Sequence, residues 1–502
     1  MEMDINQKLQ QAITTHKEGK LEEAERLYLD ILKIQPMHAV THNNLGVILK
    51  KARRLEEAEI SFKKAIESKP DYADAHNNLG NTLKRFGRLE EAEESFKKAT
   101  KFKPDYAVAY YNLGVLLKDL DRLEEAEINF IKATEFKPDF ADAHNNLGNT
   151  LQELRKLKEA ETSYNKGIEL KPNYAVIYNN LGIVLKDLGK LEEAEESFKK
   201  AIELKSDFEI ALLHKGQILF EKGEFELALR DFDSCNTGDS RGRALSSLYA
   251  LGRIDDIYQR IEKHSELDDE NINVAAFSSF IAAKEGKETA HEFCRNPIDF
   301  IHFSKLSSHI KNSNLFITEV IEELYNINTR WEPLGRTTYN GFHSGNKINV
   351  FKNPSAKLNN LKSIIIDELD AYYLKFKNES CSYIKKWPSK NNLNQSWYVI
   401  LKQQGYQSAH IHPGGWLSGV IYLKTVPVLK NNEGAIEFSL NGQHYSDINS
   451  PKLIHQPKVG DIIFFPSSLH HRTIPFTTDA DRIIISFDLM SPKESNIHSS
   501  HS

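Results

Sequence analysis

The apolar positions of this chain change their period near its middle. In the first half they fall three and four residues apart, in paired blocks that recur every 34 residues without insertion or deletion. That spacing is the period of an amphipathic helix. Leu45, Gly46, Ile48 and Leu49 share one helix face, and Ala58, Phe62 and Ala65 share the next. Gly46 and Ala58 are small where the two helices must approach closely, and Phe62 fills the space between them. Pro70 closes the second helix, because its ring has no N–H to give and crowds the preceding turn. The words "NNLG" at Asn43, Asn77, Asn145 and Asn179, and "LEEAE" at Leu21, Leu55, Leu89, Leu123 and Leu191, mark units at 5–38, 39–72, 73–106, 107–140, 141–174 and 175–208. A decayed seventh unit runs from 209 to about 236. One helical hairpin cannot bury its apolar face alone, but a stack can, so residues 5–236 are expected to form a superhelical solenoid.

From Ser240 to Gly286 the helical spacing persists while the repeat words are lost. Residues 237–290 therefore read as two or three irregular helices that cap the solenoid's apolar end. Near Phe293 the composition changes, and a domain boundary is expected between residues 285 and 300. After one more helix, "LNNLKSIIIDELDAYYLKF", the pattern turns to short runs rich in Ile, Val, Phe and Tyr: "SWYVILKQQG", "LSGVIYLKTV", "GAIEFSL", "GDIIFFPSS" and "RIIISFDLM". Such runs, punctuated by Gly, Pro and Asn, are strands. They predict an antiparallel jelly roll with flanking helices over 291–490, and a polar, disordered tail over 491–502. The fold class is thus α+β multidomain, an all-α solenoid followed by a jelly roll.

Composition changes this picture little. Of 502 residues, 40% are apolar, and the formal charge is −6. A small charge spread over both halves gives no electrostatic reason to propose nucleic acid or membrane as partner. No apolar run approaches the ~20 residues of a membrane helix, and the acidic start "MEMDINQKLQ" does not read as a signal peptide. Three widely spaced cysteines, Cys235, Cys294 and Cys381, do not suggest a disulfide framework. A cytoplasmic location is the expectation.

Candidate chemistry collects in the strand-rich half. In "AHIHPGGW", His410 and His412 are two residues apart, so on a strand they project from one face. The run "GDIIFFPSSLHHRTIP" then ends a strand at Pro466 and delivers His470 and His471 after a short turn. Arg482 opens the final strand eleven residues after His471. Asn44, Asn78, Asn112, Asn146 and Asn180 recur at one position in the repeats, just before Leu-Gly. A ladder of amides on a concave wall can both donate and accept, and so can hold an extended peptide backbone. The same residues are also ordinary solvated helix positions.

The first half resembles the tetratricopeptide repeat at nearly every consensus position over residues 5–236. In related repeats of glycosyltransferases that act on protein serines, asparagines at the ladder position hold peptide. The second half resembles the iron(II)- and 2-oxoglutarate-dependent oxygenases, more narrowly their bacterial and phage, prolyl-hydroxylase-like branch. The residues that carry this are His410, His412, Pro413, Leu417, Ser418, Gly419, Tyr422 and Leu423, then Phe465, Pro466, Ser467, Leu469, His471, Pro475, Arg482, Ser486 and Phe487. The resemblance implies a ferrous ion on His410, His412 and His471, with positions left open for the 2-oxo acid and for dioxygen. It implies that Arg482 receives the distal carboxylate of 2-oxoglutarate, a task suited to a planar guanidinium. Tyr398, Ser418 and Tyr422 are candidates to hydrogen-bond the cosubstrate, though strand residues of these types also simply pack. His471 rather than His470 falls on the family's ligand position, and His470 is expected to turn outward.

This sequence departs from the broad superfamily at His412, where a carboxylate is usual. Three imidazoles suit iron(II) and also admit zinc. Alternatively Glu437, Asp447 or, less readily, Asp461 completes the shell. Trp397 and Trp416 line a substrate mouth or cover the sheet. The implied reaction couples decarboxylation of 2-oxoglutarate to succinate with hydroxylation of an unactivated C–H, on a protein or peptide recruited by the solenoid's concave groove. Two other readings stay open. Gly460, Pro466 and His471 also fit a cupin motif, which would make a metalloenzyme without 2-oxoglutarate, and the chain would otherwise be a non-catalytic interaction scaffold.

Overall fold

The computed structural model describes residues 5–333, 337–344, 348–390, 393, 395–427 and 432–491. The expected disordered tail therefore lies outside the described residues, except for Ser491. The chain divides into two compact units, residues 1–204 and 205–502.

In the first unit the described residues form twelve helices, from Ile5–Lys17 to Leu191–Leu204, paired as antiparallel hairpins. The close-approach rule read from one repeat holds in the pairs that carry it. A methyl group added to Gly46 would come within 2.6 Å of Phe62, to Gly80 within 2.7 Å of Phe96, and to Gly148 within 2.5 Å of Tyr164. Phe62, Phe96, Phe130, Tyr164 and Phe198 are fully buried. Outside the helix pairs, a charge ladder links successive repeats: Arg54 to Glu25 (2.7 Å), Arg88 to Glu59 (2.8 Å), Arg122 to Glu93 (2.6 Å) and Lys190 to Glu161 (2.7 Å). The cationic partners are solvent-exposed, so these ion pairs add little. The buried rings carry the stability.

The turn inside each hairpin demands a left-handed residue. Gly19, Gly87 and Gly189 occupy it with φ of 80°, 73° and 76°, but Arg53, Asp121 and Arg155 stand there with φ of 62°, 65° and 63°. An L side chain is strained in that region.

In the second unit, five helices from Glu209–Glu221 to Ile272–Glu285 precede the strands. The seventh pair keeps the repeat rule, since a methyl on Gly216 would meet Phe232 at 2.6 Å. Among the described residues there are ten strands, β1 (His302–Lys305), β2 (Thr329–Trp331), β3 (Thr338–Ser344), β4 (Gln395–Gln407), β5 (Gly415–Lys424), β6 (Ile436–Ser439), β7 (Lys452–His455), β8 (Asp461–Pro466), β9 (His470–Thr473) and β10 (Arg482–Met490). They form a seven-stranded sheet in the order β1-β8-β5-β10-β4-β3-β2 and a three-stranded sheet in the order β7-β6-β9. Every pairing is antiparallel.

Period-two alternation divides the large sheet into two buried faces. Tyr398, Ile400, Ile483, Ile485 and Phe487 join a core with the helices Ser313–Leu324 and Ala356–Phe376. Val399, Leu401, Tyr422 and Ile484 face the other way, into a core shared with Phe438 of β6. That second core also contains Phe232, Phe277 and Phe280. The expected boundary near residues 285–300 is thus not a division in packing. The helices read as a solenoid cap supply apolar surface to the sheets, and the division falls at Leu204/Lys205.

Two substitutions in the first unit test this account by urea denaturation. Phe130→Ala is expected to cost about 3–5 kcal/mol through the cavity it leaves. Arg155→Gly is expected to stabilise by about 1 kcal/mol by releasing the left-handed strain.

Candidate metal and cosubstrate site

The loop after β4 and strand β9 are tied by a backbone bridge. The His410 N–H donates to the His471 carbonyl and the His471 N–H to the His410 carbonyl, both at 3.1 Å. Two residues on, the His412 N–H donates to the Ser467 carbonyl at 3.1 Å, and the Gly415 N–H closes a turn on His412 at 2.9 Å. The three imidazoles cluster, with ring centroids 4.3 Å apart for His410–His471 (tilted), 5.0 Å for His412–His471 (edge-on) and 5.2 Å for His410–His412 (stacked). One ring nitrogen of each lies within 4.8 Å of the others, and among the described residues this is the one group of three His, Cys or carboxylate side chains so placed.

Each imidazole has its Nδ1 at an acceptor. His410 Nδ1 lies 2.7 Å from the Ser408 carbonyl, His471 Nδ1 3.3 Å from the Leu469 carbonyl, and His412 Nδ1 2.7 Å from Asp488 Oδ1. Donation from Nδ1–H fixes the tautomer and leaves the Nε2 lone pair as a metal donor. Burial, and then the neighbouring imidazoles, hold the His471 pKa well below its ordinary value. That ring is neutral, as ligation requires. Three imidazole nitrogens on one side of a cavity fit a divalent transition metal.

The same cavity is lined by Trp397, Tyr422 and Arg482. Arg482 is 1% exposed. Its Nη2 donates to the Tyr422 hydroxyl at 3.3 Å, and its carbon sits 5.0 Å from the centre of that ring. Its Nε and Nη1 are buried with no hydrogen-bond partner among the described residues. A buried guanidinium with unsatisfied N–H groups is costly unless an anion completes it. The donor set is therefore matched to a carboxylate as well as a metal.

Several sequence expectations need correcting. Tyr398 does not face the cavity. Alternation on β4 turns it into the opposite core, where its hydroxyl donates to the Ile327 carbonyl at 3.0 Å. Ser418 stands behind His412 and donates to Asp488 Oδ1 at 2.7 Å, away from the cavity lining. Trp416 is fully buried, with its Nε1–H donated to the Tyr383 carbonyl. His470 points away from the other histidines, but not into solvent: it is 7% exposed, beneath Tyr445 at 5.7 Å. The alternative carboxylates are engaged elsewhere. Glu437 accepts two bonds from Arg472, Asp461 accepts from the Lys458 N–H, and Asp447 accepts from the Asn449 N–H.

Asp488 is the residue that the sequence reading missed. A signal existed, because Arg482, Ile484, Ser486 and Asp488 alternate along "RIIISFD" and so share one face of β10.

The asparagine ladder lies in the first unit. Asn78, Asn112 and Asn180 donate to Asn43, Asn77 and Asn145 of the preceding repeat at 3.0, 2.8 and 3.1 Å. Asn146 donates to the Tyr111 hydroxyl at 3.1 Å, and Asn44 accepts from Asn43 at 3.4 Å. These amides stitch neighbouring repeats together. No helix among the described residues is long and apolar enough to cross a membrane.

Burial lowers the His470 pKa to about 4, from 6.5. Between those values the unfolded chain takes up a proton that the folded chain refuses, so stability is full above pH 6.5 and falls as pH drops toward 4. His470→Phe is expected to flatten the dependence of melting temperature on pH in that window, measured by circular dichroism.

Comparison with known proteins agrees with these two parts. Residues 395–488 match the family described as "Putative 2OG-Fe(II) oxygenase". Residues 39–105, 107–140 and 139–207 match families described as "Tetratricopeptide repeat". Among solved structures, YrrB, titled a TPR protein with an unusual peptide-binding site, is 25% identical over 37% of this chain and 95% of its own, with a TM-score of 0.34. MamA is 26% identical over 34% of this chain and 92% of its own, with a TM-score of 0.32. PilF of Pseudomonas aeruginosa is 22% identical over 41% of this chain and 96% of its own, with a TM-score of 0.36. No curated protein matches the chain. The chain thus carries tetratricopeptide repeats in its N-terminal region and a domain matching that oxygenase family at its C-terminal end.

Proposed function

We propose that the second unit is an iron(II)- and 2-oxoglutarate-dependent oxygenase, and that it hydroxylates a protein or peptide recruited by the repeats. His410, His412 and His471 would hold the metal. Arg482, assisted by the Tyr422 hydroxyl, would bind the distal carboxylate of 2-oxoglutarate. The observation that carries this reading is the buried Arg482, with two N–H groups unsatisfied in the cavity that the three histidines line. A cupin-like centre without 2-oxoglutarate has no use for that guanidinium.

When bound, iron supplies activation of dioxygen, coupled to oxidative decarboxylation of the 2-oxo acid. The balance is 2-oxoglutarate, dioxygen and a C–H bond converted to succinate, carbon dioxide and a C–OH. The chain's own residues bind and orient. Arg482 fixes one end of the cosubstrate, the Nδ1 acceptors keep three lone pairs convergent, and Trp397, 5.4 Å from His412, walls the cavity against water.

Recruitment rests on the repeats. Stacked helical hairpins present an extended groove that binds protein segments. An amide carries two N–H bonds and an acceptor oxygen, so the inter-repeat bond made by Asn78 or Asn112 uses one donor and leaves capacity toward a peptide backbone.

Succinate formed from 2-oxoglutarate under anaerobically loaded iron(II) tests the reaction. Arg482→Met is expected to raise the KM for 2-oxoglutarate by ~100-fold, from two charge-assisted hydrogen bonds lost, while metal binding persists. Metal-dependent turnover indifferent to that substitution would favour the cupin-like reading. A chain that takes up no stoichiometric iron would favour the scaffold.

Recruitment has its own readout. Asn78→Ala with Asn112→Ala should raise the KM for a peptide substrate and leave uncoupled consumption of 2-oxoglutarate unchanged. An unaltered KM would remove the ladder from recruitment.

A further inference from the structure

We propose that Asp488 supplies, from behind His412, the negative charge that a three-histidine centre lacks, and that this charge sets how tightly the centre holds its metal. The inference rests on the metal-centre reading above and concerns a residue outside the ligand set.

The three imidazoles are not equivalent. His410 and His471 direct Nδ1 at backbone carbonyls, which are neutral dipoles, whereas His412 directs Nδ1 at a carboxylate. Asp488 is 3% exposed. Its Oδ1 accepts from His412 Nδ1–H at 2.7 Å and from the Ser418 hydroxyl at 2.7 Å, and Ser418 Oγ lies 2.8 Å from Ser467 Oγ. Backbone geometry keeps room for this group. A methyl on Gly415 would fall 2.6 Å from Ser467 Oγ and 3.2 Å from the Asp488 carboxyl carbon. The strand that presents Arg482 at one end presents Asp488 at the other, on the same face, six residues apart.

A buried carboxylate whose hydrogen-bond donors are one imidazole and one hydroxyl, with no Lys or Arg among them, is stabilised by a cation nearby. A divalent cation on the far side of the imidazole supplies that charge, with His412 as the conductor. In return, the carboxylate raises the basicity of the Nε2 that would face the metal. Where other sites place an acidic ligand on the metal itself, this chain would place one imidazole between the acid and the metal. His412 is then a ligand whose donor strength is tuned, and Asp488 is a positioning and charge-supplying residue that never touches substrate.

The test uses the full-length, metal-free protein titrated with cobalt(II), followed by its visible d–d absorption and by calorimetry. Asp488→Asn keeps the size and can still accept a hydrogen bond, but removes the charge. It should weaken cobalt affinity by about 10- to 100-fold and alter the d–d spectrum. The metal-free melting temperature should hold or rise, since a buried charge is gone. Ser418→Ala keeps the charge and removes one hydrogen bond to it, and should cost less than about tenfold in cobalt affinity, below the loss in Asp488→Asn.

Wild-type affinity and spectrum in Asp488→Asn would overturn the proposal while leaving the metal centre standing. A tenfold or greater loss in Ser418→Ala would place the effect in hydrogen-bond geometry and overturn the role of charge, and this arm reads even where Asp488→Asn does not fold. A wild-type chain that takes up no cobalt would instead overturn the metal-centre reading itself.

Discussion

Two backbone hydrogen bonds between His410 and His471 are the constraint on which the site depends. A metal centre needs its donors placed to within about half an ångström, and a loop seldom holds that precision by side chains alone. Here the loop that follows β4 is sewn to β9 at the ligands themselves, at 3.1 Å in both directions. Once that bridge exists, the remaining geometry follows. His412 lies on the same side by the period of two, the Ser467 carbonyl anchors its backbone, and the Pro413-Gly414-Gly415 bend turns the chain directly into β5. The same two hydrogen bonds join the strand ends of the large and small sheets, so the site forms only when the sandwich has closed.

The site stores unfavourable features that a structural core would avoid. Among the described residues, Arg482 is buried with two N–H groups unanswered, and Asp488 is buried with an imidazole and a hydroxyl as its donors. Each is expensive alone. They sit at opposite ends of one face of β10, Arg482 in the cavity lining and Asp488 behind His412. Under the proposed function an anion would complete the first and a cation the second. Between them the strand is apolar except for Ser486.

Much of this was legible before any coordinates. The 34-residue period gives the helix pairs and even their close contacts, because a strict repeat states the same packing problem several times over. The grouping of His410, His412 and His471 and the placing of Arg482 beside them were readable from spacing together with family resemblance. What escaped was everything decided by which face of a strand meets which neighbour. Tyr398 looked like a cosubstrate contact, yet its even-numbered position on β4 sends it to the other core. Ser418 looked like a cavity residue, yet it serves the back of His412. Asp488 was hidden in "SFDLM", where an acid near a strand end reads as an ordinary terminus until alternation is counted back to Arg482.

His470 was misjudged for a different reason, one that bears on how the two halves of the sequence depend on each other within the second unit. The residue does turn away from the metal face of β9, and in an isolated sandwich it would meet water. It is buried because Tyr445, from the connection between β6 and β7, lies over it. Tyr445 is in turn gripped by Phe277 and Phe280, with ring centroids at 4.8 and 4.7 Å, on the helix Ile272–Glu285. Beside it, His444 packs edge-on to Phe220 at 4.9 Å. The helices that read as the fading end of a repeat array are therefore the outer support of the small sheet, and the strand they support carries His471. An oxygenase domain cut at residue 290 would expose Tyr445 and His470 together and loosen the strand that carries one of the three ligands. In packing terms, the strand-bearing unit of this protein begins inside the repeats.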